Sequence, residues 1–486
     1  MFKRFLALLL AILLLFISKS VINKRTSTFN DNAMTAARVN IMSESRQYAV
    51  ADGTFIQWWL VKDWDDTRWL QEFSALRKAD MHYVVLAPTA FYIYDRTTGE
   101  GKTHTLFPTE TDGFEVLKDE KGKEYGDIVD ACLRNAEKAD IKVFLGLNTS
   151  DDWWMKRLDS KWVYARMEEG NKVADELWDR YYHKYPSAFY GWYWDWEVDN
   201  FYFSTADFFK TSRKLLADAI KIHMDHFDKT EKHLPFMLAP FMDWRVGRAD
   251  DYARMWEYVF KNSGMKVGDI FCPQDCIGAG GLNIDNLADW FAGFRKAVDK
   301  VPGLKLWADI ETFDDRDWTA ATLDRFVSQM EKVRPYVDNY ITFSYSHYYS
   351  PYNVDPGFHK TYIGYLMTGE LEPFSPTKPE NLVVQAQSPR SIYLSWQASE
   401  DNIGVAGYYV YRNGVLVSNI QVKRKDNTFY NKEFEAPDTF FKDLIYDTGA
   451  TYTYEVQAYD FAGNISEKTD PVSITVINPA TSSSDS

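Results

Sequence analysis

Between Thr54 and Thr368 the chain alternates two hydrophobic patterns. Short β-rich runs begin TFIQWWLV at Thr54, MHYVVLAP at Met81, KVFLGLN at Lys142, FYGWYWDWE at Phe189, PFMLAPFMD at Pro235, DIFCPQD at Asp269, KLWADIETF at Lys305 and YITFSYSHY at Tyr340. Between them lie longer stretches whose apolar residues recur every three or four positions, the spacing of an amphipathic helix. From Asp66 to Lys78, for example, Trp69, Phe73 and Leu76 share one face and Asp66 is placed to cap the N-terminus. Eight strand and helix units in roughly 320 residues predict a (β/α)8 barrel, a fold that runs from about 250 residues upward.

The pattern changes at EPFSPTKPENL, a proline-rich stretch beginning at Glu372. Beyond it the runs alternate at period two between turn residues, with no helical segment, which predicts an all-β sandwich. The expected divisions are a barrel over 51–371, a linker over 372–378, a β module over 379–477 and a disordered tail over 478–486. Such a boundary predicts a barrel that stays folded when the chain is cut near Pro376.

At the N-terminus two basic residues precede thirteen apolar ones, Phe5 to Ile17. That is the layout of a secretory signal, and it falls short of the roughly 20 residues that span a bilayer. No small-x-small cleavage site follows, and Lys19, Lys24 and Arg25 come soon after, so residues 1–25 are either a signal peptide or a membrane anchor, followed by a linker over 26–50. Either implies a secreted or cell-surface protein.

Composition narrows the partners. Seventy acidic against fifty-five basic residues give a net charge of −15, which excludes nucleic acid, because phosphate binding needs clustered Lys and Arg. Cys132, Cys272 and Cys276 form neither a disulfide framework nor a zinc spacing. The eight histidines include no HExxH, and GAGG at Gly278 lacks the strand-to-helix setting of a dinucleotide fingerprint. No metal and no cofactor is predicted.

The carboxyl ends of barrel strands are where chemistry sits. In the fourth run, alternation puts Tyr193, Asp195 and Glu197 on one side and Trp192, Trp194 and Trp196 on the other. In the seventh it aligns Trp307, Asp309 and Glu311. A glutamate thus closes each strand, and glycosidic cleavage needs such a pair: one carboxyl protonates the leaving oxygen while the other attacks the anomeric carbon or activates water. Other strand ends offer sugar contacts: Gln57 and Trp58 on the first, Asn148 on the third, Gln274 and Asp275 on the sixth, Tyr345 and His347 on the eighth. Amides and carboxylates bond vicinal hydroxyls and aromatic rings stack on pyranose faces. Trp58 and Tyr345 serve equally as packing residues, and Asp275 as a structural partner of a helix.

The stretches GTFIQWW, FYGWYWDWEVDN, PQDCIG and LWADIETF resemble an uncharacterised bacterial glycosidase-like barrel family over about 310 residues, related to the large clan of retaining (β/α)8 glycoside hydrolases. The resemblance implies Glu197 as acid/base and Glu311 as nucleophile. Trp196 departs from the clan, which commonly carries an asparagine before the acid/base. SIYLSWQASEDNIGVAGYYVYRNG and ATYTYEVQAYDFAGNISEKT resemble a fibronectin type III module of the kind appended to secreted polysaccharide enzymes. The resulting expectation is an exported glycoside hydrolase acting on a polysaccharide or oligosaccharide, the alternative being a surface barrel that binds carbohydrate without cleaving it.

Overall fold

The computed structural model describes residues 47–204, 211–424, 434–447 and 449–476. The expected signal or anchor, most of the linker after it and the C-terminal tail lie outside the described residues.

Eight strands, β1 (Gly53–Gln57), β2 (Tyr83–Ala87), β3 (Lys142–Gly146), β4 (Phe189–Trp194), β5 (Phe236–Leu238), β6 (Ile270–Phe271), β7 (Lys305–Glu311) and β8 (Asn339–Phe343), pair in chain order. All pairs are parallel, and β8 returns to β1 through Thr54 and Thr342 to close the barrel. A helix follows each: α1 (Asp66–Lys78), α2 (Ile128–Ala139), α3 (Ser160–Leu177), α4 (Ser212–Phe227), α5 (Ala249–Asn262), α6 (Leu287–Val298), α7 (Leu323–Val333) and α8 (Pro356–Thr368). This is the (β/α)8 barrel that the alternating pattern predicted.

Several runs are shorter as strands than as hydrophobic stretches. β5 and β6 stop just before Pro240 and Pro273, which have no N–H to give to a neighbouring strand. TFIQWWLV leaves the sheet at Gln57, and Trp58–Val61 form one helical turn that buries Leu60 and Val61. Asp65, not Asp66, caps α1: its carboxylate accepts from Arg68 N at 2.8 Å. Asp66, in the first turn, instead reaches Arg134 at 2.7 Å and Asn135 at 2.8 Å on α2.

Period two gives the barrel two cores. Phe55, Val85, Phe144, Tyr193, Met237, Ile270 and Ile341 fill the interior. Trp192, Trp194, Leu306, Ala308 and Ile310 face outward, into the layer covered by the helices. After β2 the chain inserts a hairpin, Ala90–Asp95 with Glu100–Thr105, which stands at the carboxyl end of the barrel and pairs with Asn148–Thr149 beyond β3.

The C-terminal module consists of a three-stranded and a four-stranded antiparallel sheet. They pack over Ile392, Leu394, Trp396, Tyr408, Tyr454 and Val456, with Trp396 edge-on to Tyr408 at 5.4 Å. The module is not freely hinged. Ala406, Tyr459 and Phe461 belong to the hydrophobic core of the barrel, and the Phe461 ring meets Phe358 of α8 at 4.9 Å. Its backbone also caps α7: Leu323 N donates to Phe461 O at 3.1 Å and Asp324 N to Ala462 O at 2.9 Å. Burying one such aromatic side chain stabilises by roughly 1.5–3 kcal/mol. The linker thus marks a change of secondary structure between two modules that also touch one another. A cut near Pro376 would uncover Phe358 and uncap α7.

Candidate active site

β4 and β7 lie on opposite walls of the barrel, three steps apart in the strand order. Past Trp194 the chain continues in the line of β4, so Asp195 and Glu197 keep the inward phase of Tyr193 while Trp196 stays in the outer core. On β7, Asp309 and Glu311 are buried and Glu311 is the last strand residue. Because β4 and β7 run parallel in one barrel, Glu311 at the end of β7 and Glu197 just past the end of β4 lie at the same carboxyl-end mouth.

Backbone donors and one amide hold these carboxyls. Glu311 Oε2 accepts from Ala279 N at 2.7 Å. The loop comes this close because residue 278 is glycine: a Cβ there would stand 3.1 Å from Glu311 Oε2 and collide with Phe313 O. Behind Glu311, Asp275 Oδ1 accepts from Ile277 N at 3.1 Å and from Glu311 N at 3.3 Å, and its other oxygen accepts from Gln329 of α7. Gln329 also donates to Glu311 O at 3.0 Å, and Arg325 donates to Glu311 O and Phe313 O. Across the mouth, the Gln274 amide donates to the Glu197 carboxyl and to Ala239 O at 3.2 Å, while Trp153 Nε1 fixes Glu197 O at 2.6 Å.

Burial sets the protonation of this cluster. It raises the Glu197 carboxyl against the opposing Gln274 hydrogen bond, and the Asp199 charge adds to the rise. It also raises Glu311; the neighbouring Asp275 carboxyl pushes the same way, and the donors at 278 and 279 and Arg325 push back. Asp195 and Asp309 are raised well above the ordinary range, first by burial. Asp195 Oδ2 and Asp309 Oδ1 have no hydrogen-bond partner among the described residues. Asp309 therefore holds its proton in the folded chain at pH values where the unfolded chain has lost it. A raised acid gives stability that is full below its unfolded pKa of about 4 and declines as pH rises toward the folded value. Asp309→Asn is thus expected to melt close to wild type near pH 4 and above it near pH 8. Thermal melts at the two pH values check this; a variant equally destabilised at both would show that Asp309 is ionised and partnered.

The structure gathers some of the residues read from sequence and disperses others. Gln57 and His347 meet at the mouth, where Gln57 N donates to His347 Nε2 at 3.4 Å and burial lowers the imidazole to about 3, leaving it neutral. Gln274, Asp195 and Tyr193 line the interior beside the glutamates. Trp58 does not: it packs edge-on against Phe91 at 5.4 Å and Tyr125 at 5.7 Å, and its neighbour Trp59 faces His347. Trp307 points inward but at the floor of the barrel, against Tyr83 at 5.1 Å, four residues below Glu311. Asn148 turns toward α3 and donates to Arg166 O at 2.9 Å. Tyr345 lies in the outer core with its hydroxyl on His359, because a helical turn after β8 breaks the strand phase. Asp275 lies behind Glu311 and acts on it from there.

Sequence reading missed Ala279, Arg325, Gln329 and Tyr348. Tyr348 feels the Glu311 charge and stacks on Phe313 at 5.6 Å. The signal for it lay in the aromatic run SYSHYY; the backbone N–H of Ala279 has no sequence signal.

Fold and site together define a (β/α)8-barrel protein with an acidic, aromatic-walled mouth at the carboxyl ends of its strands. The chain belongs to the family described as "Domain of unknown function (DUF4434)", which matches residues 51–355. Curated relatives are similar over shorter stretches. Chitinase Chi52 of Paenibacillus xylanexedens is 37% identical over 103 residues, 21% of this chain and 17% of that protein. Chitinase A1 of Niallia circulans is 37% identical over 100 residues, 21% of this chain and 12% of that protein. The chain thus spans less than a fifth of the length of these two relatives. A solved Bacteroides thetaiotaomicron protein, provisionally named an alpha-L-fucosidase, has 20% identity and a TM-score of 0.49 over 69% of this chain and 93% of its own.

Proposed function

We propose that the chain is an exported glycoside hydrolase acting on a polysaccharide or oligosaccharide by the retaining two-carboxylate mechanism. The observation that carries this is the pair of desolvated glutamates, Glu197 and Glu311, at one barrel mouth, each with its own hydrogen-bond support. Glu311, with two backbone donors on its carboxyl, is the nucleophile: its oxygen bonds the anomeric carbon as the glycosidic C–O bond breaks. Glu197, with an amide donor and an unfavourable Asp199 charge, gives its proton to the departing oxygen. Water then attacks the glycosyl ester, Glu197 takes its proton, and Glu311 leaves as carboxylate. Gln57, Tyr193, Asp195, Gln274 and His347 are proposed substrate contacts.

Burial and the Asp275 carboxyl raise Glu311 to about 8, so the acid limb of the profile, where the nucleophile must ionise, is expected above the ordinary carboxylate range. The C-terminal module is taken as a fibronectin type III domain; its length matches the roughly 100-residue stretch shared with the chitinases. Residues 1–25 would export the chain or anchor it at the cell surface; among the described residues no helix is long and apolar enough to cross a membrane.

A panel of neutral, amino and acidic polysaccharides assayed for new reducing ends tests the proposal, with the anomer of the first product read by NMR. Release of a product with the configuration of the substrate is expected. Binding without release would favour a carbohydrate-binding barrel, and an inverted product would remove Glu311 from the role of nucleophile.

A further inference from the structure

After β7 the chain makes a short hairpin, in which Phe313 pairs with Ala320 and Asp314 with Thr319. Its turn carries Trp318 with φ at 54°, a left-handed backbone that a bulky side chain rarely adopts and that its surroundings must hold in place. The two residues after Trp318 are gripped by the C-terminal module. Asn419 donates to Thr319 Oγ1 at 3.3 Å, and the Gln421 amide both accepts from Ala320 N at 2.8 Å and donates to Ala320 O at 3.0 Å. Tyr459 closes the network, accepting from Gln421 at 3.2 Å and donating to Asn419 at 2.6 Å. On the barrel side, Asp315 N donates to Gly278 O at 2.9 Å, tying the hairpin to the loop that holds Glu311.

The indole so placed is 40% exposed. It stacks on Phe313 with ring centres 5.5 Å apart and planes 12° from parallel, and Phe313 stacks in turn on Tyr348, which senses the Glu311 charge. Stacked rings therefore run from Tyr348, through the buried Phe313, to the part-exposed Trp318 beside the module. One face of the indole is taken by Phe313, and the part that stays exposed is the kind of surface that the C–H face of a pyranose ring covers.

We infer that Trp318 is a sugar-stacking subsite on the hairpin that follows Glu311, held in position by Asn419 and Gln421, so that barrel and module build one substrate site between them. The inference rests on the proposed function in taking sugar as the ligand. Gln421 acts through Trp318 and is a positioning residue. The substrate is accordingly a chain of several sugar units that runs from the catalytic pair toward the module.

Binding separates this from a purely structural role without requiring turnover. Calorimetry with the hexamers and dimers of β-1,4-glucose, β-1,4-N-acetylglucosamine and α-1,4-glucose supplies the probes. For the hexamer that binds wild type, Trp318→Ala is expected to weaken affinity about tenfold and leave the matching dimer within about twofold. Gln421→Met, which keeps the side chain's length and loses both bonds to Ala320, is expected to show the same length-dependent loss. The double variant should lose no more than Trp318→Ala alone, since both act on one indole. Tyr446→Ser, at an exposed position of the module, should bind as wild type does. Equal loss on dimer and hexamer, additive losses in the double variant, or unchanged hexamer affinity in Trp318→Ala overturns the subsite. A wild-type chain that binds a hexamer with this signature and never cleaves it overturns the hydrolase proposal and leaves the subsite standing. Binding of none of the three hexamers counts against both.

Discussion

Glu311→Gln is expected to lower turnover by roughly three to five orders of magnitude while oligosaccharide affinity stays within about twofold. The amide keeps the shape of the side chain and an oxygen for Ala279 N to bond, so the mouth should not rearrange. What disappears is the charge that attacks the anomeric carbon. The substitution also relieves the repulsion between Glu311 and the Asp275 carboxyl, so the variant should melt no lower than wild type, and higher at alkaline pH. This combination separates a nucleophile from a structural glutamate, whose loss would lower the melting temperature in proportion to the activity lost. Initial rates, calorimetric affinity and a thermal melt on the same preparation decide between them. Wild-type turnover in Glu311→Gln would end the assignment.

The placement of these two residues was legible because strand alternation is a strong signal. Three tryptophans in alternate positions cannot all face a narrow barrel interior, so Trp192, Trp194 and Trp196 had to point outward and Asp195 and Glu197 inward. The same rule puts Asp309 and Glu311 on one face. It gives the face and not the height: Trp307 shares the inward phase of Asp309 and Glu311, yet packs against Tyr83 on the floor of the barrel. Phase also fails wherever a strand gives way to a helical turn. Trp58 and Tyr345 each stand at such a break, and each turns into packing while its neighbour Trp59 or the later Tyr348 keeps company with the mouth.

Contacts made by backbone groups left no trace in the residue pattern. GAGG at Gly278 lacks the setting of a dinucleotide motif, yet it brings the Ala279 N–H onto Glu311. The domain boundary shows a related limit. A proline-rich run and a change of period describe the local chain faithfully, but whether two modules share a core depends on surfaces distant in sequence, here Phe358 against Phe461 and Ala320 against Gln421. Asn419 and Gln421 read as ordinary strand residues until the hairpin at 313–320 is seen against them.

Glu197→Gln is expected to behave unlike Glu311→Gln, in a way that depends on the substrate. The natural leaving oxygen needs a proton, and the amide has none to give, so turnover of oligosaccharides should fall by roughly two to four orders of magnitude. A dinitrophenyl glycoside departs as a stable anion and needs no acid, so its glycosyl-ester intermediate should form at close to the wild-type rate. Hydrolysis of that ester should then stall, because the residue that would take a proton from water is gone. Azide carries no proton to lose, and adding it should restore turnover and yield a glycosyl azide with the configuration of the substrate. The pH profile should change as well. In wild type the alkaline limb reports loss of the Glu197 proton, at a pH set above the ordinary carboxyl range by burial and by the Asp199 charge, and in the variant that limb should vanish. Equal losses on activated and natural substrates, with no response to azide and an unchanged alkaline limb, would show that Glu197 supports the mouth without moving a proton.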